Sequence, residues 1–389
     1  MLKRHGSSVE LLPHDVVELI LERLPVDSLL RFNSVSKKWK STIESPRFQQ
    51  RQFTRRRQLR APDVLCVPLG YGSEDGLVDE DTDAIRFLFG SSKASTVWFH
   101  VSGMFFCYGS CDGLLCLYSL YEKCASVVVN PATRWCRSFL MSNVQHLIVE
   151  KLNRSELAAY PLPRLGFGKE KVKGGKYKPV YLYNSFEFKR DNVTTCEVFD
   201  FSTNTWRYVV PSSPYRILGH CEPVYLDGSL YYLTKEETEV LPFEVKLLSM
   251  VIHTKTFHVV CKVPVAHPHS PDSFNINMCI LDDRLCVSER SWPTQDIWSF
   301  DGGANKTWTK MCSIDFTQSA SLFKESSFAR SSIGLSPIAI LDKNKLLLRG
   351  NDYLRTLVVY DLHTKSFDLL FKPTKPIGSV YYFESLFSF

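Results

Sequence analysis

The chain has 389 residues, 44% hydrophobic and 13% aromatic, which is enough to bury a large core in two or three domains and excludes a disordered chain. Residues 1–60 hold 13 Lys/Arg against 6 Asp/Glu, a net +7 of a total of +6, so the remaining 329 residues sum to −1 and a broad nucleic-acid surface on the main domain is disfavoured. No run approaches the ~20 apolar residues of a membrane span, and residues 1–13 lack the apolar core of a secretory signal. The expected location is therefore the nucleus or cytoplasm, or both. In a reducing compartment the 12 cysteines are expected to be small buried hydrophobes.

Residues 9–50 read as helical. Asp15 and Glu18 can cap a first helix carrying Val16, Val17, Ile20, Leu21 and Leu24, which Pro25 ends. A second helix is expected from Asp27, carrying Leu29, Leu30, Phe32, Val35 and Trp39, with a break at Pro46. A unit this small has too much surface to hide so many apolar side chains, so part of them must meet a partner or the rest of the chain. The run Arg51, Arg55, Arg56, Arg57, Arg60 is expected as a solvated helix face, with nucleic-acid binding as the competing reading. Two solvated insertions are expected, an acidic one over 71–83 and a Lys/Gly-rich one over 166–178.

From about residue 95 the pattern changes to short alternating strands with an internal repeat. Apolar residues run into a turn that holds Thr, then into an aromatic: Thr203 and Trp206, Thr254 and Phe257, Thr364 and Phe367, with further copies at Asn130 and Asp301. Intervals near 50 residues suit kelch-like propeller blades. A second word, a tight polar turn followed by a strand, stands at Asp112-Gly113, Asp227-Gly228, Asp282-Asp283 and Lys343-Asn344. It predicts two-residue hairpins, whose turns demand positive φ. Packing such hairpins radially buries their faces and shortens their exposed edges.

Catalytic and cofactor motifs are missing: there is no Walker loop, nucleophile elbow or H-E-x-x-H, and Gly166-Phe167-Gly168 lacks a third glycine. The spacing of Cys107, Cys111, Cys116 and Cys124 fits strand positions better than zinc, and His267 with His269 reads as a solvated pair. No catalytic residue, cofactor or metal is expected.

Residues 11–53 resemble the F-box of the large plant-type families, through Leu12-Pro13, Asp15-Val16-Val17, Ile20-Leu21, Leu24-Pro25-Val26, Ser28-Leu29-Leu30, Val35-Ser36-Lys37, Trp39 and Ser45-Pro46. The remainder is similar to the F-box-associated domain, through Ser110–Cys116, Asn130–Arg134, Gly166–Gly168, Asp227–Tyr232 and Tyr382–Leu386; it departs at Tyr177-Lys178-Pro179-Val180. The resemblance implies an α+β multidomain chain: F-box over 8–53, linker and acidic loop over 54–94, and a mainly-β, kelch-like propeller over 95–389. It further implies a non-catalytic substrate receptor of an SCF-type ubiquitin ligase, binding a Skp-type adaptor and through it cullin and RING subunits, with an unknown target protein on the propeller. The residues expected to meet the adaptor are Leu12, Pro13, Ile20, Leu24, Pro25, Leu29, Val35 and Trp39. Tyr71, Tyr215 and Trp292 are candidate target contacts. The alternative is an interaction or nucleic-acid-associated protein acting outside a ligase.

Overall fold

The computed structural model describes residues 12–59, 63–68, 82–87, 94–99, 105–107, 109–119, 126–153, 163–210, 213–219, 221–235, 244–265, 276–291, 293–303, 305–317, 335–342, 344–350, 355–374 and 377–389. The N-terminal part is four helices: α1 (His14–Leu21), α2 (Val26–Phe32), α3 (Lys37–Ile43) and α4 (Pro46–Leu59). Where one helix was expected from Asp27, there are two. The Ser36 hydroxyl accepts a hydrogen bond from the Trp39 amide at 3.1 Å and starts α3 as a separate helix. Pro46 likewise opens a helix rather than interrupting one. It has no amide to satisfy in a first turn, and Ser45 Oγ accepts from the Phe48 amide at 3.3 Å. Asp15 lies inside the first turn of α1 and makes no cap bond, since Pro13 holds the capping position.

Among the described residues the strands form six antiparallel sheets, which we number as blades in chain order. Blade 1 joins Asp63–Pro68, Thr82–Phe87 and Ala94–Phe99 to the last strand, Ile377–Tyr382. Blade 2 runs from Ser110 to Phe139, blade 3 from Leu165 to Tyr208, blade 4 from Arg216 to Lys262, blade 5 from Ile276 to Asp315 and blade 6 from Leu335 to Phe371. Inner strands touch in a closed cycle: Ile377–Tyr382 meets Ser110–Cys111, and each inner strand meets the next until Leu335–Asp342 returns to Ile377–Tyr382. The ring is therefore shut by pairing of Ile377–Tyr382 with Asp63–Pro68 across the ends of the domain, register Leu65 to Val380. Closure removes the exposed inner edges.

The expected linker over 54–94 thus contains the end of α4 and two strands of blade 1. Its first strand, Asp63–Pro68, pairs with Ile377–Tyr382 at the other end of the domain, so only the tertiary pairing shows that this stretch completes a blade. Residues 166–178 also differ from expectation. Leu165–Lys169 and Tyr177–Asn184 are paired strands with Gly168 opposite Lys178, and only the turn between them is solvated. The departure at Tyr177–Val180 leaves blade 3 intact.

Each apolar cluster of the propeller fills one seam between neighbouring blades. Leu114 and Cys116 face the seam to blade 3, while Leu115 and Leu117 face the seam to blade 1. A strand buried on both faces reads as an unbroken apolar run, which is what Leu114-Leu115-Cys116-Leu117 is. Cys107 lies in the seam between blades 1 and 2, Cys111 and Cys116 in the seam between blades 2 and 3. Burial pushes the Cys107 thiol up to about 12 and leaves these sulfurs unreactive. Among the described residues no three His, Cys, Asp or Glu converge as a metal site.

Candidate protein-docking sites

The helical module is small, and its core is completed from outside. Leu21, Val26, Leu29, Ile43 and Phe48 are buried together with Leu386 of the C-terminal segment, and Ala132 of blade 2 packs on them. Phe53 of α4 meets Phe383 and Phe387 edge-on at centroid distances of 6.4 and 5.3 Å. The basic run supplies much of the remaining joint. Arg51 bridges Glu18 at 3.0 Å and Glu22 at 2.7 Å, which ties α4 to α1. Arg56 pairs with Glu384 at 2.9 Å, and Arg57 pairs with Asp283 while lying over the Phe383 ring. Three of the five arginines expected on a solvated face are therefore engaged inside the chain; Arg60 lies outside the described residues.

Asn130 fastens the C-terminal segment. Its side-chain amide donates to the main-chain oxygens of Ser385 (3.0 Å) and Phe387 (2.9 Å), and its Oδ1 accepts from the Ala132 amide at 3.0 Å. Gly113, at φ +77°, is needed at the same joint, because a Cβ there would lie 2.3 Å from the Phe383 carbonyl oxygen. Phe389 is enclosed by Trp135, Tyr177 and Phe201, and Arg137 donates to its main-chain oxygen at 3.2 Å.

Outside this joint, apolar residues of the module stand in solvent: Leu12 is 61% exposed, Ile20 48% and Val35 57%, and Val16 and Leu19 are exposed too. Val16 and Ile20, four residues apart, share one face of α1, and Leu12 stands just before its capping Pro13. Among the other residues expected to meet a partner, Pro13 and Pro25 are exposed and Leu24 and Trp39 half-buried, Trp39 packed edge-on against Phe32 at 5.5 Å. Leu29 is fully buried. Its place in α2 faces the helical core, so it holds the module together rather than reaching outward. Val16 and Leu19, exposed beside Ile20 on α1, were not among the residues expected to meet a partner.

The two repeated sequence words lie on one face of the propeller. In an up-and-down four-stranded blade the first and third turns share an end, and these are the hairpin turns with positive φ at Asp112, Asp227 and Asp283 and the outer turns with positive φ at Arg134, Asn204, Lys255, Lys306 and Lys365. In the outer turns Asp200, Asp301 and Asp361 accept main-chain hydrogen bonds two residues on, at 2.8, 3.0 and 2.8 Å. This is the face on which α4 and residues 383–389 sit. The opposite face carries Arg164, Glu222, Tyr215, Arg349 and Arg355 at strand ends. Tyr215 is exposed there; Tyr71, Trp292, His267 and His269 lie outside the described residues. Arg349 donates to Glu222 at 3.1 Å.

Comparison with known proteins agrees with this division. The F-box domain family matches residues 9–51, and the F-box associated beta propeller domain family matches residues 92–387. F-box protein At1g11270 of Arabidopsis thaliana is 52% identical over 78% of this chain and 93% of its own length. F-box/LRR-repeat/kelch-repeat protein At1g09650 of the same plant is 46% identical over 99% of both chains, and F-box protein At5g10340 is 45% identical over 98% of this chain and 85% of its own.

Proposed function

The chain belongs to the F-box proteins that carry an F-box associated β-propeller domain, and from that premise we propose that it is a substrate receptor of an SCF-type ubiquitin ligase in the nucleus or cytoplasm. The helical module docks a Skp-type adaptor, which connects it to cullin and RING subunits, and the propeller face opposite the module receives the target protein. The observation that carries this reading is the exposure of Leu12, Val16, Ile20 and Val35 on a module whose core is completed by the C-terminal segment of the propeller. Exposed apolar area on a soluble helical unit is the expected mark of a protein interface.

Such a receptor performs no bond chemistry of its own. Holding a target lysine near an activated ubiquitin converts a bimolecular encounter into an effectively intramolecular one. The engagement of α4 with residues 383–389 favours this role, because a stiff joint keeps the target at a set distance from the adaptor.

Co-purification with a Skp-type adaptor tests the reading. Leu12→Ala with Pro13→Ala is expected to weaken the complex about 30-fold, the equivalent of about 2 kcal/mol. Because the contact is apolar, raising the salt concentration should change it little, whereas a nucleic-acid complex would weaken steeply. Unchanged adaptor capture by the double variant would refute the assigned surface. Failure of the wild-type chain to capture adaptor at all would refute the ligase role.

A further inference from the structure

Asn130 stands where three other outer turns have aspartate. At Asp200, Asp301 and Asp361 the side-chain carboxylate accepts a main-chain hydrogen bond from two residues on. The Asn130 Oδ1 closes its own turn in the same way, accepting from the Ala132 amide at 3.0 Å and the Thr133 amide at 3.4 Å. The turn therefore needs only an acceptor, and the amide nitrogen is an addition. Its hydrogens are directed at the C-terminal segment: the main-chain oxygens of Ser385 at 3.0 Å and Phe387 at 2.9 Å, with Ser385 Oγ at 3.3 Å. Asn130 and Ser385 are both fully buried, so water cannot replace these bonds.

Residues 383–389 form neither helix nor strand, and among the described residues no backbone ladder ties them to a blade. Side chains hold them instead. On the propeller side Phe389 sits among Trp135, Tyr177 and Phe201. On the module side Leu386 is buried with Leu21, Leu29 and Ile43. Leu386 lies in sequence between the two carbonyls that Asn130 grips, so the depth at which it enters the helical core is set from blade 2. Ala132 of the same turn packs on that core as well.

We propose that residues 383–389 are a latch. Seated on Asn130, the segment completes the helical core and keeps the module competent to dock; unseated, it withdraws Leu386 and loosens the helices. Control lies in blade 2, within the domain that selects the target, and is exerted on a module that meets a different partner. The docking half of this inference rests on the ligase reading, and the ordering half stands without it.

Asn130→Asp retains the acceptor, and with it the turn found in the other blades, but cannot donate to the two carbonyls. Amide hydrogen exchange of the full-length protein, resolved by segment with mass spectrometry, reads the result. Exchange should rise about tenfold or more in residues 383–389 and in α2 and α3, while the hairpins of blades 4 to 6 keep the wild-type rate. Phe389→Ala removes the ring on the propeller side and should give the same pattern, which keeps the test decisive if Asn130→Asp does not fold. A rise confined to residues 383–389, an equal rise across all six blades, or wild-type exchange in α2 and α3 of both variants would each overturn the latch. Adaptor capture, measured separately on the same variants, should fall although Leu12, Ile20 and Val35 are unchanged. Undiminished capture by a variant whose helices exchange faster would overturn the coupling to docking. No adaptor is present in the exchange measurement, so its failure is distinguishable from failure of the ligase reading.

Discussion

Arg56 and Glu384 form a 2.9 Å ion pair nearly closed to solvent, with side-chain exposures of 12% and 6%. One partner stands on the last helix of the F-box module and the other on the segment that follows the final propeller strand. This contact, with Leu386 in the helical core and Phe53 against Phe387, makes the two domains one packed body. Removing one charge leaves the other in a desolvated site. Glu384→Ala should therefore lower stability by about 3–5 kcal/mol, while Arg56→Met with Glu384→Leu should restore most of it. Chemical denaturation of the three variants checks the order.

Leu29 and Leu12 separate folding from docking. Leu29→Ala opens a void in the core shared by α1 to α4 and should cost about 2–5 kcal/mol of stability. Leu12→Ala touches only an exposed residue, so Tm should stay within about 1 °C on the usual scale of surface substitutions, while adaptor affinity falls. Thermal unfolding measured beside adaptor capture distinguishes them. A Leu12→Ala variant that unfolds early would place this residue in the core.

Two glycines with the same backbone angle should behave differently. Gly113→Ala and Gly174→Ala both force a side chain to positive φ, φ +77° and +71° respectively, at about 1–2 kcal/mol each. Space around Gly174 is open, whereas a Cβ at Gly113 meets the Phe383 carbonyl and the Ser385 hydroxyl. Gly113→Ala should be clearly the more destabilising. It should also raise protease sensitivity near residue 383, read by limited proteolysis and mass spectrometry.

Acid should weaken the outer turn of blade 3 through Asp200. Burial opposes its ionisation, but the Ser202 amide at 2.8 Å and Lys178 at 3.2 Å prevail and pull its pKa down to about 2. A carboxyl depressed in the folded state contributes stability above its unfolded pKa, near 4, and loses it as pH falls through about 2. Asp200→Asn should therefore be less stable than the parent at pH 6. The gap should narrow between about pH 4 and pH 2, as followed by urea unfolding across that window.

Much of this molecule was legible in one dimension. Leu-Pro at 12–13, Val35-Ser36-Lys37 with Trp39, and Ser45-Pro46 mark helix starts through local capping, so the helical module could be placed without a structure. The Thr-turn-aromatic word and the Asp-Gly word each mark a hairpin, since their positive φ and Asx turns are local requirements of four or five residues. Five outer turns were countable by this means. Blade 1 was not, because it combines strands from both ends of the domain, and pairing of Leu65 with Val380 leaves no short-range mark.

The amino-acid sequence by itself determined the parts: a capped helical unit with more apolar surface than it can bury, and a radial array of hairpins. Only the tertiary structure decided how they are joined and which surfaces remain. Ser385 reaches Asn130, Leu386 enters the helical core, and the arginines of α4 turn inward to Glu18, Glu384 and Asp283. The reason is physical. Capping and turn formation act over a few neighbouring residues, whereas closure of a ring and burial of a charge depend on groups brought together from hundreds of residues apart.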